Sequence, residues 1–192
     1  MKTKLFWYDL ETTGLRYWKH GIHQIAGLIE IDGEVVEKFN FDIAPHPQHI
    51  LEPEAFTMKA IKPEDVRNYT ALEVVFKEKL MPLLNRYIDP YNSKDKFFTA
   101  GFNISAFDNP FFRKLFELSG TQKSFGNYFW NEPVDVFCLA SEKLLHERAN
   151  MKAFNQAAVA EYLGLPVRKE ELHDASYDVE LSRQIYQMLK LW

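Results

Sequence analysis

The chain has 192 residues, with 23 Lys and Arg against 27 Asp and Glu, and a formal net charge of −4. That length fits one domain with a substantial core and leaves little room for two. The acidic balance excludes a protein that coats duplex nucleic acid through many cationic contacts to phosphate, but it does not exclude a nuclease, whose carboxylates hold cations that in turn hold phosphate. The 16 Phe, 9 Tyr and 4 Trp imply a Phe-rich core, with a few exposed rings available to stack on bases.

In chain order, Leu5 to Leu10 reads as a buried strand ending in the turn signal Thr12-Thr13-Gly14. Gln24 to Ile31 and Val35 to Ile43 read as two more strands, and Asp32-Gly33 between them favours the tight turn of an antiparallel hairpin. Pro45 to Pro53 is a crossing loop. Thr70-Ala71-Leu72-Glu73 has the spacing of a capping box, so a helix is expected to run to about Tyr87, bent at Pro82. Phe97 to Phe102 is a short strand. Asn109-Pro110 supplies a cap and a first-turn Pro for a helix that stops at Gly120. Further helices are expected at Val136 to Arg148, at Ala153 to Leu163 with Gly164 behind it, and at Ala175 to Leu189.

A hairpin followed by alternating strands and helices is a mixed α/β pattern. Without repeats or a linker, 1–192 reads as a single domain. The only cysteine, Cys138, lies in the apolar run Val136-Phe137-Cys138-Leu139-Ala140 and reads as a small core residue. No charged leader precedes the first strand pattern and no apolar run is long enough to cross a membrane, so a cytoplasmic location is expected.

Asp9 and Glu11 stand two apart at the end of a strand, so both carboxylates point to one side of it. They follow the apolar run Leu5-Phe6-Trp7 and precede a turn that exposes backbone N–H groups. Hard oxygen ligands beside an open polar turn suit Mg²⁺ or Mn²⁺; alone, such a pair reads equally as solvated acids. Asp108 reads by itself as a cap for the helix at Pro110. Asp174 and Asp178 read as an acidic first turn, and His173 as a structural histidine.

Three motifs together change that reading. Phe6-Trp7-Tyr8-Asp9-Leu10-Glu11-Thr12-Thr13-Gly14-Leu15, Gly101-Phe102-Asn103-Ile104-Ser105-Ala106-Phe107-Asp108, and His173-Asp174-Ala175 followed by Asp178 resemble, in order and spacing, the motifs of the DEDDh (DnaQ-like) 3′→5′ exonucleases. Ile50 to Glu64 is similar to the family's connector. The resemblance spans Leu5 to about Leu189 and departs from the family at Phe102, where a His is usual. It implies an RNase H-like fold: a central mixed sheet with an antiparallel hairpin, flanked by helices.

It also implies roles. Asp9, Glu11, Asp108 and Asp178 would be the acidic residues of a site for two Mg²⁺ or Mn²⁺ ions, and His173 the general base. Two cations about 4 Å apart activate a water and stabilise the leaving 3′-oxygen, and a His with a pKa near 6.5 takes the water's proton at neutral pH. Asp174 is assigned either to support of the metal ligands from behind or to helix capping. Thr12 and Leu15 occupy the places that hold the last nucleotide, and Phe102, Asn103 and Phe107 are candidate walls of its pocket, with core packing the alternative for each Phe.

The implied reaction is release of nucleoside 5′-monophosphates from single-stranded or frayed ends, DNA favoured. Arg16 to His23, which mixes cations and rings, reads equally as an ordinary solvated loop and as a segment that would favour unpaired strands. The same site acting on RNA 3′ ends is the enzymatic alternative. A non-catalytic binding module and a polymerase proofreading accessory are the others. With the last helix ending close to Trp192, a standalone enzyme is expected over a polymerase-docked one.

Overall fold

The computed structural model describes residues 2–57 and 61–191; residues 58–60 of the connector-like stretch, Met1 and Trp192 lie outside them. Strand β1 (Lys4–Thr12) is buried along both faces, as a central strand must be. It pairs antiparallel with β2 (Ile22–Ile31), which pairs antiparallel with β3 (Glu34–Asp42). On its other side β1 pairs parallel with β4 (Phe98–Gly101), and β4 pairs parallel with β5 (Val134–Asp135). The order is β3-β2-β1-β4-β5, the expected mixed sheet with an antiparallel hairpin. The hairpin turns at Asp32 (φ 52°) and Gly33 (φ 91°), the two positive φ angles of a primed turn.

Alternation along β1 splits the core between the two faces. Phe6, Tyr8 and Leu10 join a cluster with Ile25, Phe39, Leu83, Phe112 and Phe129, while Leu5 and Trp7 join one with Val136, Val159, Val179 and Ile185. The aromatic excess goes largely into the first cluster. Phe6 stacks on Phe39 at 5.0 Å and on Phe112 at 5.9 Å, and meets Phe129 edge-on at 5.3 Å. Offset and edge-on ring pairs of this kind contribute about 0.5–1.5 kcal/mol each beyond their buried area.

The helices depart from expectation at their ends. The segment after Thr70 is α1 (Leu72–Val75), a π-turn (Phe76–Leu80) and α2 (Met81–Asn85). Pro82 therefore causes no simple bend. Its ring would strike the carbonyl one turn back, and the widened turn just before it moves that carbonyl away. The capping box is not made: the cap is Ala71, with no side-chain bond. Helix α3 (Asp108–Leu118) begins before Asn109, so Asn109 is a buried helical residue and not the cap. Helices α4 (Val136–Lys143) and α5 (Gln156–Tyr162) are shorter than expected, and α6 (Ala175–Leu189) is as expected. Asp135 and Asn155 cap α4 and α5, accepting from the Phe137 and Ala158 amides at 3.0 and 2.9 Å. Cys138 is exposed and not a core residue, because it lies on the outer side of α4. Among the described residues no helix is long and apolar enough to cross a membrane.

Candidate active site

Asp9 and Glu11 share the β1 face of Leu5 and Trp7, against which α6 packs. The β1–β2 register slips between Glu11 and Thr12, so the regular ladder ends beside the two acids. Asp178, in the first turn of α6, comes to the same place, and one oxygen from each of Asp9, Glu11 and Asp178 lies within 4.8 Å of the others. Helix α6 is held there by an ion pair from Arg183 Nε to Glu30 Oε2 on β2 at 2.6 Å. It is also held by the Gln156 amide of α5, which donates to the Asp178 carbonyl at 2.6 Å and Ser182 Oγ at 3.0 Å. Three carboxylates this close repel unless a cation lies among them, and all-oxygen ligands suit a hard divalent ion.

Asp108 is not in that trio. It is the first residue of α3, 3% exposed, and its Oδ1 accepts from the Leu10 amide of β1 at 3.1 Å. Burial pushes its carboxyl up to about 7, the negative charges of Asp135 and Glu11 add to the rise, and the Leu10 and Asp108 amides oppose it. A buried carboxyl raised in this way is one whose anion lacks counter-charge, which an adjacent cation would supply. Its position is fixed by neighbours: Tyr8 Oη donates to Asn109 Oδ1 at 2.7 Å, and Asn109 Nδ2 donates to Thr99 Oγ1 at 3.3 Å.

His173 has φ 68°, a left-handed conformation that costs a non-glycine residue about 1 kcal/mol or more. Its amide donates to Asp178 Oδ2 at 3.0 Å, which ties the imidazole's backbone to the carboxylate cluster. Asp174 caps α6, accepting from the Ser176 and Tyr177 amides at 3.0 and 3.1 Å, as expected.

His173 and Asp178 also line a cavity of about 380 Å³, together with Phe102 and Asn103. Phe107, expected beside them, instead packs on Phe111 at 5.3 Å, against the core cluster of the opposite sheet face. The expected walls are therefore divided between two faces, because Phe107 lies in the turn that leads into α3.

The Thr12-Thr13-Gly14 turn is closed by its own side chains. Thr12 Oγ1 donates to the Gly14 carbonyl at 2.9 Å; buried Thr13 Oγ1 donates to the Ile50 carbonyl at 2.6 Å and accepts from the Gly21 amide at 3.0 Å. A Cβ on Gly14 (φ 156°) would lie 2.7 Å from the His20 ring. His20 is buried, its Nδ1 accepting from the Arg16 amide at 2.9 Å and its Nε2 lying 3.0 Å from Glu52 Oε1. His23 is buried too. Of the Arg16 to His23 segment, the exposed part is thus Arg16, Tyr17, Trp18 and Lys19, beside Leu15, which is 77% exposed.

One residue escaped the sequence reading. Asp135 Oδ1 accepts from the Asn103 amide at 3.0 Å as well as from Phe137, and its Oδ2 accepts from the Ser105 amide at 2.9 Å and from Ser105 Oγ at 2.5 Å. It fixes the loop that leads to Asp108 and holds Asn103 at φ 61°. An Asp immediately before an apolar helical run was the available signal.

No curated protein matches this sequence. Solved structures of similar shape include E. coli exonuclease I with a 5cy-dT13 oligonucleotide (TM-score 0.73, 19% identity, covering 100% of this chain and 41% of that one). They also include the same enzyme with a dA16 oligonucleotide (0.73, 19%, 98% and 41%) and the zinc-bound form of its complex with single-stranded DNA (0.75, 18%, 98% and 41%). The chain thus spans less than half the length of these structures. The family model for exonucleases of the RNase T type matches residues 6–186. With that match over nearly its whole length, the chain belongs to this exonuclease family, of DEDDh type on an RNase H-like α/β fold.

Proposed function

We propose that the chain is a metal-dependent 3′→5′ exonuclease that releases nucleoside 5′-monophosphates from single-stranded or frayed ends, with DNA preferred. The observation that carries this reading is the convergence of Asp9, Glu11 and Asp178 within 4.8 Å beside buried Asp108 and backbone-tethered His173. Asp9, Glu11, Asp178 and Asp108 would hold two divalent cations, Mg²⁺ or Mn²⁺. Such ions, when bound, supply activation of the attacking water and stabilisation of the leaving 3′-oxygen.

The chain's own residues do the rest. His173, at the junction of the cavity and the cluster, takes a proton from the attacking water on a ring nitrogen. The bond from its amide to Asp178 Oδ2 anchors its main chain beside the carboxylates, within reach of a water there. Thr12 and Leu15, on the tightly bonded turn after Glu11, hold the terminal nucleotide, and exposed Leu15 lies beside its base. The single-stranded DNA in the zinc-bound structure of similar shape supports an unpaired substrate.

The test is chromatography of the products from a single-stranded oligonucleotide. Nucleoside 5′-monophosphates should form with Mg²⁺ or Mn²⁺, and neither in EDTA nor with Asp9→Ala. His173→Ala should lower turnover about 10²- to 10⁴-fold while calorimetric Mn²⁺ binding persists. Loss of Mn²⁺ binding in that variant would make His173 a ligand and not the base.

A further inference from the structure

The cavity beside His173 has walls that the proposed metal chemistry does not use. Phe137 meets Phe102 edge-on at 5.6 Å and 79°, and Phe154 edge-on at 5.5 Å and 76°. Unlike the rings of the main core, all three are only partly buried, so each leaves ring surface facing the cavity. Asn103, Asn155 and Gln156 supply amides around the same space. Asn155 spends its Oδ1 on capping α5, and Gln156 its Nε2 on α6. Asn103 is exposed, and its side-chain amide makes no hydrogen bond among the described residues.

Among the described residues neither Lys nor Arg lines the cavity, so they offer a phosphate no side-chain cation there. Flat apolar walls with amide donors and acceptors at the rim are the chemistry that receives a nucleobase: the rings meet its π-face and the amides its edge. The volume, about 380 Å³, lies within the roughly 300–1,000 Å³ usual for small-ligand sites.

We propose that this cavity takes the nucleobase on the 5′ side of the scissile phosphate, which makes Phe102, Phe137 and Phe154 determinants of substrate affinity and gives Phe102 and Asn103, expected at the last nucleotide, to the one before it. The inference rests on the proposed reaction. Tyr17, two residues beyond exposed Leu15 on the same turn, and Phe107 both pack on Phe111 of the opposite core cluster. Phe102 and Phe154 pack on the α6 side. The carboxylate cluster, on β1 and α6, stands between the exposed turn and the cavity. A strand whose phosphodiester lies at the carboxylates therefore directs its last base toward the Leu15 turn and the preceding base toward the three rings. The Phe102 departure from the family's usual His belongs to this arrangement, since it provides the ring on which Phe137 rests.

The experiment uses the full chain and oligonucleotides with a cleavage-resistant last linkage, carrying 2-aminopurine at the penultimate or the terminal position and bound with Mg²⁺. Stacking in the cavity quenches the penultimate probe, and Phe154→Ala removes that quenching. In cleavage with Mg²⁺ the same variant should raise KM about ten-fold with kcat within about two-fold, since one base–aromatic stack is worth about that ratio or more. On a strand with an abasic penultimate nucleotide, variant and unaltered protein should have equal KM. Phe137→Leu provides the same reading if Phe154→Ala fails to fold. Quenching confined to the terminal probe, or an equal loss on abasic and complete strands, would overturn the assignment. Normal penultimate quenching by a protein that cleaves nothing would uphold the cavity and overturn the proposed reaction.

Discussion

Asp135→Ala is expected to destabilise the protein by about 2–4 kcal/mol. The substitution leaves four donors without their acceptor: the amides of Asn103, Ser105 and Phe137, and the hydroxyl of Ser105. Loss of the α4 cap alone costs about 1 kcal/mol. Hydrogen bonds to a charged group contribute about 1.5–3 kcal/mol each, but the loop is open enough for water to replace part of that here. Asp135→Asn sharpens the expectation. Its Oδ1 still serves Asn103 and Phe137, while its Nδ2 is set against the Ser105 amide, so roughly half the loss, about 1–2 kcal/mol, should remain. Urea unfolding followed by circular dichroism reads both values, and the m-value should not change. A cost below about 0.5 kcal/mol for Asp135→Ala, or an Asn variant as stable as the unaltered protein, would refute the idea that this carboxylate fixes the loop.

Mg²⁺ at about 100 times its Kd should stabilise the protein by about 2.7 kcal/mol, or roughly 5–10 °C in Tm, and Asp9→Asn should abolish that rise in differential scanning calorimetry. Gly27→Ala should cost several kcal/mol or prevent folding, because a Cβ there would lie 2.2 Å from the Trp7 carbonyl oxygen and 2.3 Å from the Phe39 ring; an ordinary denaturation midpoint would contradict the close approach. Burial, then the charges of His46 and Arg67, lowers His49 from 6.5 to about 4. The unfolded chain therefore takes up this proton first as pH falls. The contribution of neutral His49 is full above pH 6.5 and is lost between 6.5 and about 4, on the order of 1 kcal/mol after solvent screening. His49→Gln should remove that part of the drop in Tm between pH 7 and pH 5, and an unchanged drop would contradict it.

Much of the fold was legible because long apolar patterns decide strands and their faces. β1, the Asp32-Gly33 hairpin and α6 follow directly from alternation, turn chemistry and helical spacing. Helix ends were less legible, since they depend on contacts distant in sequence. Asn109 looks like a cap until Tyr8 and Thr99 draw its amide into the core. Thr70 looks like a capping box, but its carbonyl is taken by the Ala44 amide. Pro82 announces a break but not the π-turn that absorbs it. In the candidate site, the D-x-E spacing placed Asp9 and Glu11 on one face, whereas the approach of Asp178 needed the seating of α6 on the sheet. Asp135 and the Phe137–Phe154 wall were not read from the sequence because their partners lie 17 to 32 residues away.

The measurement that bears most directly on the proposed reaction is the length distribution of a 5′-labelled single-stranded DNA, and of its RNA counterpart, during incubation with the protein and Mg²⁺. The expected result is a ladder that shortens one nucleotide at a time from the 3′ end, faster on DNA, and that stops in EDTA or with Asp9→Ala. An intact label-bearing strand with folded, metal-loaded protein, or immediate release of the labelled 5′ nucleotide, would contradict it.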